Sequence, residues 1–445
     1  MTTASSSYPS PARAWGFIFI LFIASIVSVI DRSVLNIVID PIKSDIHITD
    51  VQISLLQGLA FGLFYAGVGI PLGLCADRYS RRWLIMVGIA LWGVATIAGG
   101  LAHSFGGLFA SRILVGLGEA ALGPAAISLI ADLFPPEKRG RPISMYLMGQ
   151  TVALGLSFSA AGAILQAAGA GSFRSVPLLS TLAPWRLVFV LFGCAALVVI
   201  ALLLATREPV RRGARHSGHV GGQVKACAAY MTRNRAVFIP FYLGFSLYFA
   251  AAYGAGAWTP TMLMRGFGAS GVQLGKWLGP LSLGFGIAGP LLAGAVADRK
   301  SQRTTYDARL RVLAIAPLAA LPSAVAVFAP GMAPAMVLVA WMGAVSVFIG
   351  TVAFAALQSM VPSTMRGVAI ALTGLVNTIL GAALGPLAIA ELTQHVFHNP
   401  ALVGYSIASF CVPAVLAGSG CFTLALFNLR RQIRAGGQVA QLMAT

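Results

Sequence analysis

The chain has 445 residues, of which 58% are hydrophobic and only 9% charged, with a mean hydropathy of +0.85. Soluble domains carry about 25% charged residues, so a water-soluble enzyme or binding module is excluded. Apolar runs of about 20 residues that do not alternate also exclude a β-barrel. Lys and Arg number 30 against 12 Asp and Glu, a net charge of +18. No basic domain stands apart from the apolar runs, and this excludes nucleic-acid binding.

Twelve spans are expected, near residues 15–39, 51–75, 83–103, 108–132, 143–168, 185–205, 236–258, 273–297, 308–328, 334–357, 367–391 and 404–428. The first is read as a retained helix and not a cleaved signal peptide, because its flank holds one arginine, Arg13, and many spans follow it. Trp15 to Ile30 carries no charge, and then Asp31 and Arg32 stand side by side. Each charge near the middle of a membrane helix costs about 2.5–3.5 kcal/mol, so such residues line cavities or pair. The polar stretch 206–235 is expected to be a cytoplasmic linker between bundles at 15–205 and 236–428, with tails at 1–14 and 429–445.

With both ends inside, 23 of the 30 Lys and Arg fall in cytoplasmic segments and 5 on the opposite face, as the positive-inside rule requires. The basic surplus is thus a topology signal and an attraction to anionic lipid. Cys75, Cys194, Cys227, Cys411 and Cys421 show no metal or paired spacing and read as reduced filler. No metal or cofactor site, serine nucleophile elbow or phosphate-binding loop is found, which argues against an enzyme and against ATP drive.

The two halves repeat. Gly73-Leu-Cys-Ala-Asp77-Arg78-Tyr-Ser-Arg81-Arg82 after the second span is matched by Gly294-Ala-Val-Ala-Asp298-Arg299-Lys-Ser-Gln-Arg303 after the eighth. Arg139-Gly140 after the fourth is matched by Arg366-Gly367 after the tenth. Six-helix halves repeated in parallel are an architecture of secondary transporters, with the site between them. On these loops the chain resembles the major facilitator superfamily over essentially its full length. Within that superfamily it is most similar to bacterial spinster-like transporters. The residues carrying this are Ile30-Asp31-Arg32, Arg112 to Ala120 with Gly116, Gly118 and Glu119, Ala131 to Gly140, Arg207-Glu208-Pro209, and Trp258-Thr-Pro260 with Arg265. Cys75 and Ser80 depart from the usual Leu and Gly of the loop, and the Gly-Pro pair of drug/proton antiporters is absent from the fifth span. The fold expected is all-α and polytopic, twelve transmembrane helices in two pseudo-symmetric six-helix bundles.

Three charged residues are candidates for proton coupling: Asp31, Arg112 and Glu119. Residues 112, 116 and 119 share one helix face. At 1.5 Å per residue, Asp31 lies about 6 Å above the centre of its span, Arg112 about 12 Å and Glu119 about 1–2 Å above theirs. Burial favours a protonated carboxyl and a nearby arginine an ionised one, so moving the arginine shifts proton affinity. The alternative is a static ion-pair network joining two helices. Arg32 is assigned a pairing or substrate-anion role, and Gln150, Tyr248, Tyr253 and Asn377 are further cavity candidates. The resemblance implies that the Asp77, Arg78, Arg81, Arg82 and Asp298, Arg299 loops, with Arg139 and Arg366, control closure of the cytoplasmic side. Glu391, His395 and His398 read as outer rim.

The function expected is proton-coupled export of a small amphipathic or anionic, lysolipid-like molecule by alternating access. Its alternatives are proton-coupled uptake of an organic anion, and a non-transporting receptor or scaffold. The partners expected are that substrate, protons and membrane lipid. The chain is expected as a monomer in the bacterial inner membrane, with both termini cytoplasmic.

Overall fold

The computed structural model describes residues 8–211, 220–289, 307–362 and 365–434. Among the described residues, 11 helices are long and apolar enough to cross a bilayer. They are Pro11–Ile37, Asp50–Gly69, Arg81–Gly100, Phe105–Leu133, Pro136–Gly169, Pro184–Leu204, Arg235–Phe267, Ala308–Phe328, Met332–Met360, Arg366–Val396 and Pro400–Arg434. These are the expected first to seventh and ninth to twelfth spans. Residues 271–289 are helical at the position expected for the eighth.

Local chemistry moves several ends from where hydropathy puts them. The first span starts at Pro11, a residue preset for the opening turn. The fourth starts at Phe105 because the Ser104 side chain accepts the Gly107 amide. The seventh, expected to end near 258, runs through Pro260 to Phe267 and stops where Gly268 adopts a left-handed φ of 68°. Neighbouring membrane helices tolerate such an internal proline. The fourth span is broken into Phe105–Glu119 and Leu122–Leu133. Pro124 has no amide hydrogen and its ring crowds the carbonyl four residues back, so the chain turns at Ala120 and Ala121. Glu119 therefore ends a half-helix inside the span.

The described residues divide into two compact units: 8–47 with 60–211, and 48–59 with 220–434. The boundary falls within the second span, just after the π-turn Leu55–Leu59. In the first unit Phe17, Leu21, Ile89, Trp92, Val115, Leu129 and Val199 share one apolar core. Its third and sixth spans cross at Gly93 and Gly193, where an added Cβ would lie 3.1 and 2.6 Å from the opposing carbonyl oxygen. Only hydrogen there permits backbone contact, the small-residue packing that replaces the hydrophobic effect in lipid.

The second unit is built differently. Its seventh and twelfth spans pack along their length, meeting at Gly244 and Gly418. The start of the second span lies in this unit and opens with a capping box, Thr49 with Gln52. The eighth span opens the same way, Ser270 with Gln273. Each box is followed by one π-turn, Leu55–Leu59 or Leu274–Leu278. The internal repeat thus extends to helix caps. Two more π-turns, Asn377–Ala383 and Leu392–Val396, interrupt the eleventh span.

Candidate functional site

Asp31 lies in the last turn of the first helix, Pro11–Ser33, with its side chain fully buried. Thr96 of the third span donates to its Oδ2 at 2.8 Å, while Oδ1 has no partner. Arg112, also buried, reaches the Asp31 backbone carbonyl at 3.4 Å and not the carboxylate. Its guanidinium stands 4.8 Å over the Phe189 ring, and its Nε and Nη2 have no partner. Two opposite charges are therefore buried together without closing an ion pair. This is an expensive arrangement, since a buried charge is compensated only by full hydrogen bonding.

Glu119 makes the ion pair that Asp31 does not. Its Oε2 accepts from Arg32 Nη2 at 2.6 Å and from Ser28 Oγ at 2.8 Å, and its Oε1 has no partner. The side chain of Glu119 is wholly enclosed, whereas that of Arg32 is 39% exposed. The Arg32 guanidinium lies 4.4 Å over Phe61 and 5.3 Å from the Tyr65 ring centre, a cation–π seat. Asp31 and Arg32 serve different partners because adjacent helical residues point about 100° apart. Gln150 is exposed and hydrogen-bonded to the buried Tyr146 of the same span. In the first unit Arg32 is thus a partly exposed cation paired with an enclosed carboxylate, Glu119.

The cavity candidates of the second unit separate. Tyr248 is fully buried and its hydroxyl is engaged with Ser346 at 3.1 Å. It is a core residue and not a lining one, because positions 248 and 253 lie on different faces of one helix. Tyr253 is 42% exposed, and Asn377 Nδ2 donates to its hydroxyl at 3.2 Å. Glu391 is exposed and lies 3.5 Å from His395. Among the described residues, no group of three or more His, Cys, Asp or Glu is placed to hold a metal ion.

The residues expected at the cytoplasmic gate fall into three groups. Arg81 is buried between Asp132 and Glu208, both of which it pairs with, and its backbone amide donates to Glu208 at 3.0 Å. Burial pushes the Glu208 carboxyl up, but Ser80 and Arg81 outweigh it and hold it below the usual carboxylate range. Arg82, Arg139 and Arg366 instead cap helix ends, on the carbonyls of Leu203 and Leu204, of Ala131 and Phe134, and of Gln358. Arg78 is exposed at the end of its helix. Asp298 and Arg299, and the side chain of Asp77, lie outside the described residues.

Sequence reasoning missed several members of these clusters. Thr96 and Ser28 are apolar-span hydroxyls that become visible as candidates only once the depth of a carboxylate is known. Asp132 and Glu208 stood in recognisable motifs without a partner assigned. Asp50 and Arg265, more than 200 positions apart, form a two-pronged ion pair at 3.1 and 3.2 Å in the second unit. No local pattern points to that pair.

Known proteins supply the family. The model of the Major Facilitator Superfamily matches residues 21–386. An MFS-type efflux pump of Mycolicibacterium smegmatis is 27% identical over 434 residues, 95% of each chain. Protein spinster of Drosophila melanogaster is 26% identical over 256 residues, 57% of this chain and 39% of the fly protein. Among solved structures, a bacterial homolog of the human lysosomal transporter spinster, inward-facing and unoccupied, superposes with a TM-score of 0.76. It is 25% identical, and the match covers 94% of this chain and 96% of that one. The family match spans both halves of the chain and takes in the buried charges of the first unit, so the chain belongs to the Major Facilitator Superfamily.

Proposed function

We propose that this transporter is proton-coupled, and that it exports a small amphipathic or anionic molecule, lysolipid-like in character, by alternating access. The observation that carries the reading is the pair of enclosed carboxylates, each with one oxygen unpartnered. A buried carboxylate lacking full pairing costs several kcal/mol, and uptake of a proton removes that cost. Asp31, with Thr96 as donor and Arg112 beside it, is the first coupling site. Glu119 is the second: a proton there neutralises the carboxylate and loosens its pair with the partly exposed Arg32 guanidinium. In this reading proton and substrate act on the same arginine, which couples them. Resemblance to an efflux pump and to spinster proteins supports export.

The exposed Arg32 also supports the second reading, uptake of an organic anion together with a proton. In both readings the protein works as a monomer in the cell membrane of a bacterium. Both termini and the arginine-rich helix ends face the cytoplasm, where the Asp77 and Asp298 loops govern closure.

A thermal-shift screen at several pH values against lysophospholipids, organic acids and sugars identifies a ligand. Flux of that ligand is then measured in proteoliposomes under an imposed pH gradient. Gradient-driven flux is expected in the native protein and its complete loss in Asp31→Asn, with ligand binding kept. Binding without flux in the native protein would mark a receptor or scaffold and refute coupling.

A further inference from the structure

We propose that Tyr253 and Asn377 form an uncharged hydrogen-bonding subsite in the second unit, which takes the hydroxyl or amide group of a ligand whose body is aromatic or otherwise apolar. The proposal rests on reading the chain as a small-molecule transporter and says what that molecule carries besides charge. Both residues lie well inside their spans, Arg235–Phe267 and Arg366–Val396. Hydrogen-bonding side chains at such depth do not face lipid without cost, so the exposed Tyr253 belongs on a water-accessible surface.

The pair is neutral and reversible in polarity. The Tyr253 hydroxyl accepts from Asn377, so its own proton is available to a ligand acceptor. Rotating the Asn377 amide by half a turn makes Tyr253 the donor to it and turns the phenol oxygen toward a ligand donor. A hydroxyl or a primary or secondary amide, which both gives and takes, suits such a pair. A carboxylate gains less from it, since among the described residues the hydrogen bond that joins the two is between neutral groups.

Two backbone features hold the pair in place. Gly381 lies beneath it: a Cβ there would come within 2.8 Å of Asn377 Oδ1 and 3.3 Å of the Tyr253 ring. The amide oxygen has no partner of its own. Asn377 also opens the π-turn Asn377–Ala383, a widened turn of the kind that frequently marks functional sites. Leading up to Tyr253 is a ladder of rings one turn apart, Phe245 to Phe249 at 4.5 Å and Phe249 to Tyr253 at 5.9 Å. Phe245 is buried and backs the ladder, so the aromatic surface open to an apolar body, whose polar end reaches the amide and phenol, is that of Phe249 and Tyr253.

The test uses the full chain in lipid nanodiscs and three fluorescent probes of one shape: 2-naphthol, 2-methylnaphthalene and 2-naphthoate. Equilibrium dialysis, with empty discs subtracted, measures each. Naphthol is expected to bind about fivefold more tightly than methylnaphthalene, the worth of one neutral hydrogen bond at about 1 kcal/mol. Tyr253→Phe and Asn377→Ala should bring that ratio to about one. Tyr253→Phe should leave methylnaphthalene unchanged, which also shows the ring ladder intact. Gly381→Ala, by displacing the amide, should have the effect of Asn377→Ala. Persistence of the preference in Tyr253→Phe would overturn the proposal. So would absence of any preference in the native protein, or an equal loss of naphthoate binding in the variants. None of these readings depends on a pH gradient, so failure of proton coupling would leave this result standing.

Discussion

The two units are alike in apolarity and opposite in where they bury charge. In the first, Asp31, Arg112 and Glu119 are enclosed within spans, and Arg81, Asp132 and Arg186 are enclosed nearer the helix ends. In the second, the buried charges among the described residues are Asp50 and Asp307, and both stand at helix starts. An acid at a helix N-terminus is stabilised by amide dipoles and by arginines beside it. Asp50 has Arg265, and Asp307 has Arg311 and Arg430 at 2.6 Å each. An acid within a span has neither form of help and must find a hydroxyl, an arginine or a proton. The contrast supports the proposal that titration belongs to the first unit and neutral recognition to the second.

After Asp31→Asn, Glu119→Gln is the next severest way to break the comparison. It keeps the shape, removes the carboxylate charge that pairs with Arg32, and should lower gradient-driven flux at least tenfold while the protein stays monodisperse. Flux of the ligand in proteoliposomes, and gel filtration, are the measurements. Near-native flux would remove Glu119 from the coupling and leave Asp31 as the titrating group of the first unit.

Arg81→Ala comes next and acts on stability. It breaks the buried ion pair of Arg81 with Asp132, and breaking such a pair costs about 3–5 kcal/mol. Thermal unfolding in detergent should show a clear drop, and the double variant Arg81→Ala, Asp132→Asn should recover part of it.

The pH dependence of stability sharpens the comparison further. Burial raises the Asp307 carboxyl, and its hydrogen bonds with Arg311 and Arg430 outweigh this and hold it below its usual range, as Ser80 and Arg81 do for Glu208. A carboxyl that titrates lower in the folded state contributes fully above its unfolded value. That contribution fades as pH falls through the folded one. Unfolding temperature should therefore decline below the usual values of 4.5 for Glu208 and 3.8 for Asp307. Glu208→Gln should flatten the curve more than Asp307→Asn, because the arginines of Asp307 are nearly half exposed and screened. The reverse order would mean that the second unit, not the first, is held by its ion pairs.

The smallest effect is expected at the rim. Glu391→Gln removes an exposed pair with His395 and should change stability by less than about 0.5 kcal/mol, measured in the same unfolding assay. A larger shift would show that this exposed pair of the second unit is structural after all.

Much of the site was legible because charges are conspicuous in apolar runs. Asp31, Arg32, Arg112 and Glu119 announce themselves against uncharged neighbours, and the helix periodicity of residues 112 and 119 places them on one face. Their pairing was not legible. The choice of Glu119 by Arg32, over the neighbouring Asp31, depends on rotation about a helix axis and on the turn that Pro124 imposes after Glu119. Tyr248 misled for the same reason: composition flags a tyrosine, but only helix orientation says that it faces Ser346 and the core.

Alone, the amino-acid sequence determined the membrane spans, the doubled six-helix plan and the set of chargeable groups buried within it. These follow from transfer free energy and chain repetition, both of which act residue by residue. Tertiary structure decided which hydroxyl meets which carboxylate, that Arg112 approaches Asp31 without pairing with it, and that residues 48–59 belong with the second unit. Those outcomes depend on contacts between distant segments, fixed to within an ångström by glycine crossings, helix breaks and widened turns, and no property of one position carries them.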